Sequence, residues 1–225
     1  MTGSRIGLHQ ADQDTFDGPG LRVGGAGLMV GRNRQRLPVA LRLFRPEPTQ
    51  MLMVGGVRCA QLLAFRALAL GARLFIKTAR EQEWDTFLRR SSVGRETATF
   101  LPAGASPPTA GTLAQPHLVI VDVGPTMGPD PGRRSPWQAT LIVREDLAAW
   151  DVNLLQQSDM VVLQRLSEVE SSVAASALGL AEAQDWLSRI HPEMVALVSR
   201  ARLQWVLLGP TATEQGLLGS IARAE

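Results

Sequence analysis

The chain has almost nothing that ionises between neutral pH and about pH 9. It has no tyrosine, one lysine (Lys77) and one cysteine (Cys59) among 225 residues. A formal net charge of only +2 therefore coexists with a sequence pI near 9.4, because a small arginine excess meets no opposing titration. That pI says nothing about a basic surface. Binding to a phosphate backbone needs clustered positive charge. The densest run, Arg32-Asn-Arg-Gln-Arg36, is short and carries no interleaved aromatics. It reads as a solvated turn before a strand, and no nucleic-acid partner is expected.

Other scarcities exclude further classes. A lone cysteine rules out an intramolecular disulfide and a multi-cysteine metal cage. Cys59 falls mid-helix among apolar residues, which predicts a buried, inert thiol and a reducing compartment. The three histidines, His9, His117 and His191, have no metal-ligand spacing on one helix. No G-x-S-x-G elbow offers a serine nucleophile. Met1 to Asp17 is mostly polar, so no secretory leader is expected. The longest apolar stretch, Met51 to Ile76, is interrupted by Arg58, Arg66 and Arg73, each costly at a bilayer centre. A soluble chain is the expectation.

What is present is a globular composition, 45% apolar and 20% charged. Residues 1–26 hold many glycines and Asp12, Asp14 and Asp17, and read as a flexible N-terminal arm. Residues 27–225 read as a single α/β domain. Its strongest signal runs from Gln50 to Lys77. An apolar strand ends at Val54, Gly55-Gly56 follows, and a helix pattern continues to Leu70. Gly71 stops it, and Arg73-Leu-Phe-Ile-Lys77 is a second strand. That is a βαβ unit, hence a parallel sheet. Arg58, Gln61 and Arg66 share one narrow arc of the helix and predict a wet stripe on an otherwise packed element. Thr78-Ala-Arg-Glu81 and Ser167-Glu-Val-Glu170 read as capping boxes, and Thr211 with Glu214 as the cap of a last short helix. Ala181 to Arg189 reads as a helix. His117 to Val123 is a continuous apolar run suited to a central strand. About seven strands alternate with six helices. The expected fold is a three-layer α/β sandwich with a Rossmann-like, mostly parallel sheet and helices on both faces.

The chemistry expected of such a fold is missing from its residues. A phosphate loop ends in Lys and Ser/Thr. Here that end reads Val57-Arg-Cys-Ala60. A dinucleotide loop needs G-x-G-x-x-G, and only the Gly55-Gly56 pair exists. Asp122 resembles a magnesium-binding aspartate, but without the lysine loop it reads as a polar strand terminus. Asp12-Gln-Asp14 resembles a metal-binding pair but lies in the polar arm. No catalytic residue, cofactor or metal is expected. Should a ligand bind, the place is the crevice at the strand carboxyl ends, with Gly55, Gly56, Thr78, Arg80 and Asp122 around it. Most of the five tryptophans are expected in the core, with Trp137 facing a partner.

The order of these pieces resembles the cytosolic domain of EccE, a component of the actinobacterial type VII (ESX) secretion membrane complex. The residues that carry the resemblance are Leu43-Phe-Arg-Pro-Glu-Pro-Thr49, Val54-Gly-Gly56 and Phe65-Arg-Ala-Leu-Ala-Leu-Gly-Ala72. Thr78, Arg80 and Trp84 continue it, then Pro136-Trp-Gln138 and Ser158-Asp-Met-Val-Val-Leu-Gln-Arg-Leu166. The resemblance covers about residues 28–220. It implies a non-enzymatic assembly role at the cytoplasmic face of the cell membrane. The partners it implies are the secretion ATPase and channel subunits. Family members carry transmembrane helices before this domain, and this sequence shows none. Two alternatives stand beside it. One is a Rossmann-like enzyme or sensor for nucleotides or sugar nucleotides. The other is a degenerate relative of FtsK-like motor ATPases, sharing strand order without hydrolysis.

Overall fold

The computed structural model describes residues 27–102, 104–124, 133–199 and 202–223. The expected arm, with Asp12 and Asp14, lies outside the described residues. Within them the chain forms one ten-stranded sheet covered on both faces by helices. The three-layer, mostly parallel α/β sandwich read from the sequence is the fold observed.

Strands β1 (Leu28–Arg32) and β2 (Pro38–Leu41) form an antiparallel hairpin at one edge. The parallel core comprises β3 (Thr49–Val54), β4 (Arg73–Thr78), β5 (Ala98–Phe100), β6 (His117–Asp122), β7 (Gln138–Arg144) and β8 (Met160–Leu163). Two more antiparallel strands, β9 (Met194–Ser199) and β10 (Arg202–Leu207), follow β8. The spatial order is β2-β1-β10-β9-β8-β3-β7-β6-β4-β5. The sheet thus has ten strands where about seven are expected. Every residue of β3, β6, β7 and β8 is buried. That accounts for their unbroken apolar runs: parallel strands covered on both faces have no wet side to alternate with.

Period-two alternation divides the side chains between two cores. Met51, Met53, Leu74, Ile76, Leu118, Ile120 and Leu141 face α1 (Val57–Leu68), α2 (Glu81–Arg90) and α6 (Ala212–Leu218). Leu52, Val54, Phe75, Val119, Val121 and Ile142 face α3 (Val152–Gln157), α4 (Glu168–Leu178) and α5 (Gln184–Leu187). From β3 the chain crosses through α1 and α2 toward β5, and returns through α3 to β8 on the other side of β3. The direction of winding reverses beside β3, which sets the crevice of a doubly wound sheet at its carboxyl end.

Local signals behave unevenly. The Ser167 and Thr211 boxes form, each hydroxyl accepting from the N3 amide. The Thr78–Glu81 box does not. Strand β4 runs through Thr78, α2 starts at Glu81, and the Thr78 hydroxyl accepts from Arg80 N at 2.8 Å. The segment from Ala181 to Arg189 is a 3-10 turn followed by one short helical stretch, not a continuous helix. Of the tryptophans only Trp84 is fully buried, and Trp150 and Trp186 are 73% and 65% exposed. Trp137 is half-buried at φ 54°, its backbone bonded to Arg45 and His117.

The expected wet stripe of α1 is largely covered. Gln61 is buried and donates to Glu83 O. Arg66 donates to both carboxylate oxygens of Glu214 on α6, at 2.7 and 3.0 Å. It also reaches Val30 O at 2.5 Å and Leu208 O at 3.1 Å. One guanidinium thus joins α1 to β1, to the chain after β10 and to α6. Truncating one partner of a buried pair strands the other charge, a loss of about 3 kcal/mol or more. Arg66→Ala is expected to lower the unfolding free energy in urea by about that amount. Arg58→Ala, an exposed neighbour on the same stripe, should cost less than about 1 kcal/mol.

Candidate functional site

The carboxyl ends of the parallel strands bring the sequence-predicted residues to one sheet edge. Val54 leads into Gly55-Gly56, β4 ends in Thr78 just before Arg80, and β6 ends in Asp122. Strand β7 separates the glycine turn from Asp122, so the five residues form two groups.

The glycine group is occupied by the chain itself. Gly55 N donates to Arg144 O at 2.8 Å, and Gly56 N donates to Gln164 Oε1 at 2.8 Å. Gln164 directly follows β8 and is 1% exposed. Its Nε2 donates to Ile221 O at 2.8 Å. Arg58 Nη1 donates to Ser220 O at 3.3 Å. The segment after α6 therefore lies against the start of α1, and a Cβ on Gly56 would sit 3.6 Å from Arg223 Cα. Neither Gly55 nor Gly56 has a positive φ, so backbone freedom is not their reason. A Cβ on Gly55 would lie 2.4 Å from Gln164 Oε1. The pair makes room for an amide side chain of this protein. These residues do not fit a nucleotide phosphate. The turn's first helix-facing N–H is bonded to Gln164, the Lys and Ser/Thr are replaced, and Arg58 is turned toward the C-terminal segment.

The second group is an ionic cluster around Asp122, which is 3% exposed. Its Oδ1 accepts from Arg80 Nη2 at 2.7 Å. Its Oδ2 accepts from Trp84 Nε1 at 2.8 Å, Arg80 Nε at 3.2 Å and Thr78 Oγ1 at 3.4 Å. Arg80 also bridges to Glu145. Burial opposes the Arg80 charge, but its bonds to Asp122 and Glu145 outweigh that and raise its pKa. An aspartate with four donors on its two oxygens is a structural anchor between β4, β6 and α2. Beside it a hollow of about 370 Å³ is lined by Thr78, Glu81, Phe100 and Val123.

A third cluster, unforeseen in the sequence, fastens the C-terminal segment. Arg223 donates to Glu170 Oε1 at 2.6 Å and Oε2 at 3.0 Å, and to Asp146 Oδ1 at 3.1 Å. Burial works against the Glu170 charge. Hydrogen bonds from Arg223 and from Ser167 and Leu147 N–H overcome it and hold the pKa at about 2. Cys59 is fully buried and its thiol is pushed up to about 12, as an inert core thiol should be. Among the described residues no group of His, Cys, Asp and Glu could hold a metal ion. No described helix is long and apolar enough to cross a membrane.

The chain matches no protein-family model and no curated protein. A solved structure described as an "ATPase" is similar in fold, with a TM-score of 0.50 and 12% sequence identity. The likeness covers 90% of this chain and 92% of that one. At that identity the fold alone is shared.

Two expectations follow. Gly55→Ala drives a methyl into a pinned amide and should cost about 1–3 kcal/mol, measured by urea unfolding, while Gly56→Ala stays within about 1 kcal/mol. Loss of the penalty in Gly55→Ala combined with Gln164→Ala would identify the clash as its source. The Glu170 pKa is depressed on folding, so its stabilisation is present above about pH 4.5 and fades as pH falls toward about 2. Acid unfolding followed by tryptophan fluorescence should therefore be less steep over that window in Glu170→Gln than in the parent chain.

Proposed function

We propose that this chain is a non-enzymatic assembly domain, an ATPase-like fold whose nucleotide crevice is closed by its own residues. The observation that carries the reading is the Gln164 amide, bonded to Gly56 on one side and to Ile221 on the other. Asp122 supports it, since Arg80 and Trp84 hold the carboxylate that a magnesium ion would otherwise use. With the interior of the crevice committed, the outer surface is what such a domain offers to other molecules.

The setting we propose is the cytoplasmic face of a type VII secretion complex, beside its ATPase and channel subunits. The EccE-like residues Leu43–Thr49, Phe65–Ala72 and Ser158–Leu166 support it. In the fold they fall on the turn into β3, the end of α1, and β8 with its flanks. Kinship with FtsK-like motor ATPases fits the same reading, because the shared fold belongs to a chain described as an "ATPase". A second reading, nucleotide or sugar-nucleotide binding, also draws on that likeness. It requires the segment 219–223 and Gln164 to leave the glycine turn.

Calorimetry separates the two. The assembly reading expects no heat of binding with ATP, GTP, NAD or sugar nucleotides at millimolar concentration, with or without magnesium. Micromolar binding abolished by Gly56→Val would transfer the function to the second reading. For the setting, the full-length protein is expected to co-purify with secretion ATPase or channel subunits from gently solubilised membranes. Its absence from that complex would remove the secretion assignment.

A further inference from the structure

Strand β10 is open along one side. It meets β1 at a single pair, Arg32 with Leu207. The backbones approach closely there, since a Cβ on Gly31 would lie 2.0 Å from Leu207 O. Leu208 N donates toward β9, to Glu193 O at 2.9 Å. Antiparallel alternation then turns the backbone groups of Leu203 and Trp205 the other way, toward the open side. Among the described residues no strand pairs with them there. Their side chains are half-buried, while Gln204 and Arg202 are exposed.

Next to this edge is a groove of about 1050 Å³, lined among others by Arg42, Arg45, Asp159, Leu197, Arg202 and Gln204. Arg45 is paired with Asp159 at 3.0 Å. Arg42 and Arg202 have no counter-ion among the described residues. An unpaired strand edge accepts an extended chain through main-chain hydrogen bonds, and neighbouring side chains select what is accepted. Two uncompensated guanidinium groups select carboxylates.

We propose that β10 is a docking edge for an extended acidic segment of a partner protein. Its backbone pairs with Leu203 and Trp205, and its carboxylates meet Arg42 and Arg202. The inference uses residues apart from the glycine turn, so it can fail while the reading of the crevice stands.

The test uses the full chain and two fluorescein-labelled peptides, one alternating threonine with glutamate, the other threonine with lysine. Fluorescence anisotropy is expected to show saturable binding of the acidic probe only. Binding should weaken with salt and fall at least about tenfold in the surface double variant Arg42→Glu with Arg202→Glu. Amide hydrogen exchange at Leu203 and Trp205 is expected to slow in the complex. Leu203→Pro, which removes one outward N–H from an edge position, should weaken binding with the circular dichroism spectrum unchanged. Equal binding of both peptides, indifference to the charge reversals, or unchanged exchange at Leu203 and Trp205 would overturn the proposal. So would displacement of the probe by a peptide of residues 8–20, by a second copy of the chain, or by a single-stranded oligonucleotide.

Discussion

The carboxamide of Gln164 supports the whole arrangement at the crevice. It faces two backbones at once, accepting from Gly56 and donating to Ile221, while fully enclosed. A buried amide that lost one of these partners would carry an unsatisfied polar group, at a cost of about 1–3 kcal/mol. The glycine turn and the C-terminal segment are therefore energetically coupled through a single side chain. Gly55 is the steric condition for that coupling, because any side chain there meets the amide first.

Three ionic clusters hold the frame around it. Arg66 and Glu214 set α6 against α1. Gly219, at φ 70° and ψ −146°, turns the chain off the end of α6 in a conformation open to glycine and strained for other residues. Arg223 and Glu170 then fasten the segment to α4. Asp122 with Arg80 and Trp84 closes the far side of β7. Buried ion pairs contribute little net stability relative to an apolar core, but breaking one is costly. Their effect here is to fix one path for the chain over the crevice. A fold that in other proteins leaves this edge to a ligand has instead filled it with polar groups of its own.

The parallel core was legible because its strands are covered on both faces and read as apolar runs. Gly71, at positive φ, closed α1 as its sequence position implied. The stripe of Arg58, Gln61 and Arg66 was visible, but its meaning was not. A polar arc on a helix looks the same whether it meets water or a later helix with a matching carboxylate. Thr78 misled for a related reason: the sheet took the residue that local pattern offered as a cap into the end of β4. At the site, Gly55, Gly56, Thr78, Arg80 and Asp122 were found at the edge where the topology puts them. Gln164 carried only the weak signal of a polar residue after an apolar strand. Arg223 carried none, because its role depends on a contact with Glu170, 53 residues away in the chain.

The central claim is that the Gly56 amide of the glycine turn is already satisfied by Gln164. It is tested most directly by the Gly56 resonance in a proton–nitrogen correlation spectrum titrated with MgATP. With the turn self-filled, that amide exchanges slowly with solvent and its shift stays fixed at millimolar nucleotide. A Gly56 amide that exchanges freely and moves on adding MgATP would contradict the claim, for the crevice would then be open to a phosphate.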